Sequence, residues 1–218
     1  MPYFYNNDDI NVLFIHIPKT GGTSVEHYFS NKFNIKLTNN SLYLFIQDER
    51  LLKENITINS SLQHITYNQI VENCKVFNIN FDNITIITIV RNPYERIVSD
   101  LFFCKLIRTD TTKEEVFDII NEYLVSPCSN TDNHNIPQHK FITNDNNEII
   151  QNIHILKTET LKNDMNNLGY TDFNTFSNVN EYNVNYYDYL NNNSIEIINK
   201  FYHLDFILFN YAKIEEFS

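Results

Sequence analysis

Short runs of β-branched and aromatic residues alternate along this chain with segments whose apolar positions recur at helical spacing. Val12-Leu13-Phe14-Ile15-His16-Ile17 is the first such run, and Pro18 with Gly21-Gly22 ends it. It predicts a strand followed by a glycine loop and then a helix over Thr23 to Ser30, capped by Thr23 or Ser24. Ile84-Thr85-Ile86-Ile87-Thr88-Ile89-Val90 is almost continuously β-branched, the composition of a strand buried on both faces of a parallel sheet. It stops at Arg91-Asn92-Pro93, and Pro93 suits the first turn of a helix on which Ile97, Val98, Leu101, Phe102 and Leu106 recur.

Between these two strand-turn-helix units, Thr66 and Gln69 form a capping box that opens a short helix through Val71, with His64 just before it. Val116, Ile119, Ile120, Tyr123 and Leu124 mark a further amphipathic helix. Ile153 to Leu156 predicts a third core strand, Glu159 to Leu168 a helix closed by Gly169, and Ile195 to Phe209 a terminal helix. Such alternation implies an α/β fold, a parallel central sheet flanked by helices, with ligands at the carboxyl ends of the strands. That edge receives Lys19 to Ser24 and Arg91. No linker or repeat interrupts the pattern, so a single domain over 1–218 is expected.

The composition narrows the function. With 42% hydrophobic and 20% charged residues, there is apolar surface enough to offset chain entropy. A net charge of −11 argues against a nucleic-acid partner, which needs clustered Lys and Arg. Any anion must be held by a few placed groups, such as backbone N–H donors at a helix start and one or two cations. Cys74, Cys104 and Cys128 form no C-x-x-C pair, so buried free thiols are expected rather than disulfides or a zinc site. The apolar run at Val12 to Ile17 is too short for a signal or membrane segment, and a soluble, cytoplasmic location is the expectation. Asparagine is very abundant while glycine numbers only 3, a compositional skew without functional weight.

Pro18-Lys19-Thr20-Gly21-Gly22-Thr23-Ser24 has the parts of a phosphate loop in another order. A Walker A loop requires G-x-x-x-x-G-K-[ST], whereas here the lysine precedes the glycines, which disfavours an ATPase or GTPase. The physics of anion binding survives the reordering: glycines admit backbone N–H groups, the helix start adds partial positive charge, and hydroxyls and a lysine surround it.

Phe14 to Ser24 resembles the 5′-phosphosulfate loop of the carbohydrate sulfotransferase superfamily (sulfotransferase family 2 type), whose donor is 3′-phosphoadenosine-5′-phosphosulfate (PAPS). Ile89-Val90-Arg91-Asn92-Pro93-Tyr94-Glu95-Arg96-Ile97-Val98-Ser99 resembles the same family's 3′-phosphate motif. Gln63-His64-Ile65-Thr66, Ile136-Pro137-Gln138 and the segment ending Phe209-Asn210-Tyr211 resemble further family segments, in order. The resemblance implies a P-loop-like nucleotide-binding sulfotransferase fold. In it Lys19 contacts the phosphosulfate and its bridging oxygen, Thr20, Gly21, Gly22, Thr23 and Ser24 hold the 5′-phosphate, and Arg91 and Ser99 hold the 3′-phosphate. Arg96 suits an ion pair equally well and stays outside this site.

Sulfuryl transfer needs an oriented acceptor, a proton acceptor and charge neutralisation on the leaving phosphate, and requires no metal. Lys19 supplies the last. Histidine is best tuned for the second, and His64 matches the base histidine of a family segment, with His139 as rival and His16 as packing or support. The acceptor implied is a hydroxyl compound, a sugar or glycan, contacted by residues 36–60 and 126–150. A PAPS-binding module without catalysis and a P-loop-like phosphotransferase are the alternatives; intact Lys19 and His64 favour the enzyme over the first, and the absent Walker A order disfavours the second.

Overall fold

Three strands run side by side in parallel, and the two inner ones are apolar on both faces. In the computed structural model, which describes residues 1–6, 9–37, 53–54, 56–175 and 184–215, β2 (Asn11–Ile15) pairs in parallel with β3 (Thr85–Val90), and β3 in parallel with β4 (Ile153–Lys157). Leu13, Ile15, Ile86 and Val90 point to one side, and Phe14, Ile87 and Ile89 to the other. Thr88 is the polar exception, and its hydroxyl donates to the Ile15 carbonyl at 2.8 Å, so the buried group is satisfied by the neighbouring strand.

The sheet is not wholly parallel. β1 (Tyr3–Tyr5) adds an antiparallel edge to β2, giving the order β1-β2-β3-β4. Three residues are too few for a periodic signal. What holds them is Phe4, fully buried with its ring against Phe29 and Phe33.

Helices cover both faces. Over Phe14, Ile87 and Ile89 lie α1 (Gly22–Phe33), through Val25 and Phe29, and a later helix through Leu161 and Met165. On the other face, Ile70 of α2 (Tyr67–Glu72) and Phe77 of α3 (Cys74–Phe77) pack on Leu13 and Ile86. The Thr66–Gln69 capping box forms as the sequence requires. A third cluster joins α4 (Pro93–Phe103) and α5 (Lys113–Val125) through Ile97, Leu101, Val116 and Ile120. Beyond α6 (Cys128–Thr131) come β4, α7 (Leu161–Asn167), which ends before Gly169 at φ 91°, α8 (Asn192–Phe201) and α9 (His203–Leu208).

Several boundaries differ from the pattern. No side chain caps α1; its N-cap is Gly21 in the left-handed region at φ 90°, so neither Thr23 nor Ser24 precedes the helix, and both lie in its first turn. Leu106 lies outside α4, and the terminal helix is two helices broken at Tyr202, whose hydroxyl reaches the Asn135 carbonyl. Cys104 and Cys128 are exposed and Cys74 half-buried, against the expectation of buried thiols: none of the three falls on a core-facing position of its helix or turn. With glycine scarce, seven asparagines (34, 78, 83, 133, 147, 152 and 210) occupy positive φ among the described residues, which asparagine tolerates best after glycine. No helix among the described residues is long and apolar enough to cross a membrane.

Candidate active site

The parallel strands end together at Ile15, Val90 and Lys157, and the loops that leave them meet at one edge. The first is Ile17 to Gly21. Four successive carbonyl oxygens in it are each held by a side-chain donor. Thr20 Oγ1 donates to Ile17 O at 2.8 Å, Arg96 Nε to Pro18 O at 3.0 Å, Arg91 Nη1 to Lys19 O at 3.3 Å and Thr158 Oγ1 to Thr20 O at 2.7 Å. In a trans peptide the N–H points opposite to the carbonyl of its own plane. The N–H groups of Lys19, Thr20 and Gly21 therefore face away from these bonds, to the outer side of the loop. Lys19 at φ 64° and Gly21 at φ 90° make the turn, a left-handed geometry that gathers N–H groups into an anion-binding concavity.

Each donor has a sequence reason. Arg96, one turn into α4, is fully buried; besides Pro18 it holds the carbonyls of Ile136 at 3.0 Å and His134 at 2.7 Å. It joins three chain segments, a role distinct from the ion pair considered from sequence. Arg91 is anchored by Gln138, whose amide accepts from its backbone N–H and donates to its carbonyl, both at 2.8 Å. Its guanidinium also donates to Glu95 at 3.1 Å and lies 5.0 Å from the Tyr186 ring. Positions 91, 95, 99 and 103 recur at a spacing of four, so Arg91, Glu95, Ser99 and Phe103 form the stripe of α4 and its entry that the core leaves uncovered.

Of the predicted loop residues, Thr20 is buried with its hydroxyl turned inward, Thr23 is half-buried and Ser24 buried. Gly22 is required: a Cβ there would lie 2.4 Å from the His16 ring. Lys19 Nζ sits 3.9 Å from the centre of the Phe103 ring, a cation–π contact. Burial lowers its pKa and Arg91 adds to this, while Asp100 opposes.

From Lys19 a chain of ring contacts leaves the loop and returns to it. Phe103 stacks on His134 at 5.6 Å and 11°, His134 meets His64 edge-on at 4.9 Å, His64 meets His16 edge-on at 5.1 Å, and His16 lies against Gly22. Each histidine has its own carboxylate: His16 Nδ1 with Glu26 at 2.6 Å, His64 Nδ1 with Asp132 at 2.8 Å, and His134 Nδ1 with Asp100 at 2.6 Å. Gln63 donates to both oxygens of Glu26, and Tyr123 donates its hydroxyl to Asp100.

Burial would raise the pKa of all three carboxyls, but their hydrogen-bonded partners prevail and hold each below the ordinary carboxylate range. His64 moves down to about 4, because burial disfavours the imidazolium more than Asp132 favours it. At neutral pH the pair is thus neutral imidazole and carboxylate. A carboxylate only accepts, so Nδ1 of His64 carries the proton and Nε2 keeps its lone pair. Asp132 also accepts from the Ser61 N–H, and Asn133 Nδ2 donates to the His64 carbonyl at 2.9 Å. Asp132 and Asn133 stand consecutively at φ 51° and 62°, strain of the kind that clusters at functional positions.

His139 lies elsewhere: its backbone N–H and Nδ1 both meet Asp205 of α9, at 2.9 and 2.6 Å, fixing the turn Gln138–Phe141. Of the two segments expected to meet the acceptor, 36–60 falls largely outside the described residues, whereas 126–150 supplies Asp132 and His134. Those two, with Phe103, Asp100 and Thr158, escaped sequence reasoning. The one signal for them was the presence of an aspartate and a histidine in an otherwise unassigned polar stretch.

No curated protein and no solved structure matches the chain. A family model described as "Sulfotransferase family" matches residues 2–212, which take in the loop, the Arg91 turn and the four histidine–carboxylate pairs, and the chain belongs to that sulfotransferase family.

Proposed function

We propose that this protein transfers the sulfuryl group of PAPS to a hydroxyl acceptor, a sugar or glycan, with Lys19 and His64 as its catalytic residues. The observation that carries the donor side is the loop whose four carbonyls are tied inward, leaving the N–H groups of Lys19, Thr20 and Gly21 on the outer side at the start of α1. Gly22, Thr23 and Ser24 continue that edge for the 5′-phosphate. Arg91 and Ser99, on one stripe of α4, are assigned to the 3′-phosphate, for which Arg91 must turn part of its fork away from Glu95.

In the transfer, the acceptor oxygen attacks sulfur in line with the bridging oxygen, and the bond between sulfur and that oxygen breaks. The acceptor proton passes to Nε2 of His64. Asp132, on Nδ1, steadies the imidazolium that forms, and the Lys19 ammonium neutralises the departing phosphate. A neutral His64 is the competent form, and its low pKa keeps it so throughout the neutral range.

The test is a thermal melt with 3′-phosphoadenosine-5′-phosphate and, in parallel, ATP. The bisphosphate should stabilise the fold by about 2.7 kcal/mol at a hundredfold excess over its dissociation constant. Stabilisation by ATP alone would sink the reading. Transfer of labelled sulfate from PAPS across a panel of sugars and hydroxylated small molecules then identifies the acceptor.

A further inference from the structure

His64, Asp132 and His134 each offer one ligand atom, and the three atoms lie within 4.8 Å of one another. We propose that these residues bind a divalent transition-metal ion of the zinc type, and that the bound ion switches sulfuryl transfer off. Two imidazoles and a carboxylate are a borderline-soft donor set suited to such ions rather than to magnesium or calcium. Bonds of about 2.0–2.2 Å at tetrahedral angles set ligand atoms roughly 3.3 Å apart, so binding draws the three side chains together on the ion.

The site is already built around these groups. Asp132 Oδ1 accepts from the Ser61 N–H, and Asn133 Nδ2 donates to the His64 carbonyl at 2.9 Å, so the two ligand-bearing segments are tied to each other. The left-handed pair Asp132 and Asn133 sets Asp132 and His134 on either side of one tight bend. His134 Nδ1 is engaged by the fully buried Asp100 at 2.6 Å, which leaves Nε2 for the metal. A carboxylate on the far ring nitrogen is the usual outer support of a metal-bound histidine. Asp100 and Cys104 form a second group with the same His134. There, however, Asp100 is fully buried, with its oxygens held by His134 and Tyr123, whereas Asp132 is only half-buried, so we assign the ion to the first group.

Asp132 faces Nδ1 of His64, so an ion held by both takes the place of the Nδ1 proton. The neutral imidazole then carries its proton on Nε2, the lone pair that would accept the acceptor proton is lost, and the ion blocks transfer. That inhibition, though not the binding, rests on the reading of His64 as base. The test uses the full chain, stripped with a chelator and free of nucleotide. It is titrated with Zn²⁺ by calorimetry and with Co²⁺ by visible absorption. One equivalent should bind, with a nitrogen-and-oxygen cobalt spectrum lacking a thiolate charge-transfer band. Asp132→Asn should weaken binding by at least the roughly 10- to 100-fold that loss of an outer supporting group costs, and Cys104→Ser should leave it unchanged. The proposal is overturned by absence of stoichiometric binding, by a thiolate band, or by a loss in Cys104→Ser greater than that in Asp132→Asn. Should Asp132→Asn not fold, the cobalt spectrum of the unaltered protein decides alone. The nucleotide melt, run in chelator, fails or succeeds separately, so loss of the sulfotransfer reading and loss of the metal site are distinguishable.

Discussion

The donor loop and the histidine side of the site are built on opposite plans. The loop, Pro18 to Ser24, is a run of backbone whose side chains, Lys19 apart, are small, and it is shaped by donors gripping its carbonyls. The histidine side is three side-chain pairs, His16–Glu26, His64–Asp132 and His134–Asp100, in which each imidazole is fixed by its own carboxylate. A backbone cradle suits a fixed anion, which every turnover of the proposed reaction would present alike. A set of carboxylate-supported imidazoles suits protons, whose position would change during that turnover. The two plans make different demands on mutation, and that difference is testable.

The largest separation is expected between His64→Ala and Lys19→Ala. His64→Ala should reduce turnover by roughly 10²- to 10⁴-fold and leave bisphosphate affinity nearly unchanged by calorimetry. Lys19→Ala should depress both, since in the proposed reaction the ammonium touches the donor before and during transfer. Activity within a few-fold of the unaltered protein after His64→Ala moves the base role to His139 or another group.

Arg96→Ala addresses the loop's scaffold. It strands the carbonyls of Pro18, Ile136 and His134, and at about 1–3 kcal/mol for a buried unsatisfied group the loss of stability should be on the order of 3 kcal/mol in urea melts. Because two of those carbonyls lie on different sides of the site, donor binding and turnover should both fall in the folded fraction. A stability loss below about 1 kcal/mol would mean that the loop holds its shape unaided.

Acidification probes the histidine side. Between pH 6.5 and about 4 the unfolded chain takes up a proton on His64 that the folded chain refuses, so stability falls as pH falls through that window. The carboxyl of Asp132, held below 3.8 in the fold, adds a further loss at lower pH. His64→Gln should flatten the upper window and, because His64 is the foremost group holding the Asp132 carboxyl down, shrink the lower one as well. In turnover, the acidic limb of kcat/KM should lie near pH 4 rather than 6.5; a limb near 6.5 would show that the working base is a less buried group.

The smallest effect is one of selectivity. Arg91→Ala and Ser99→Ala should each weaken the 3′,5′-bisphosphate more than 5′-AMP, by roughly 1–3 kcal/mol for the charged contact and less for the hydroxyl. Equal losses for both ligands would remove these residues from the 3′-phosphate position.

The loop was legible in the sequence because backbone recognition needs its residues contiguous: a strand, Pro18, Lys19, two glycines and a helix must follow in order. Arg91 was legible for the same reason, lying at the next strand end. His64 could be singled out beside its capping box at Thr66, but nothing near it in sequence announced Asp132, 68 residues away. Asp100 in turn sits among the apolar residues of α4, where periodicity marks only the core stripe. Pairing of side chains across the fold leaves no spacing to read. β1 failed for a different reason, being too short to show a period, and the break at Tyr202 depends on a hydroxyl contact to Asn135 that no local preference encodes.

The grip on the loop carbonyls also has a consequence for the order in which the chain assembles. The bonds to Pro18, Lys19 and Thr20 span 78, 72 and 138 residues, so each closes a long chain segment, with the entropy that entails. Arg91 and Arg96 reach the loop only once α4 has docked beside β2, and Thr158 only once β4 has joined β3. Refolding should therefore restore helix content and sheet before it restores nucleotide binding, with the two recovering at different rates in a stopped-flow experiment. On that order, a motif of seven consecutive residues is among the last parts of the structure to become complete.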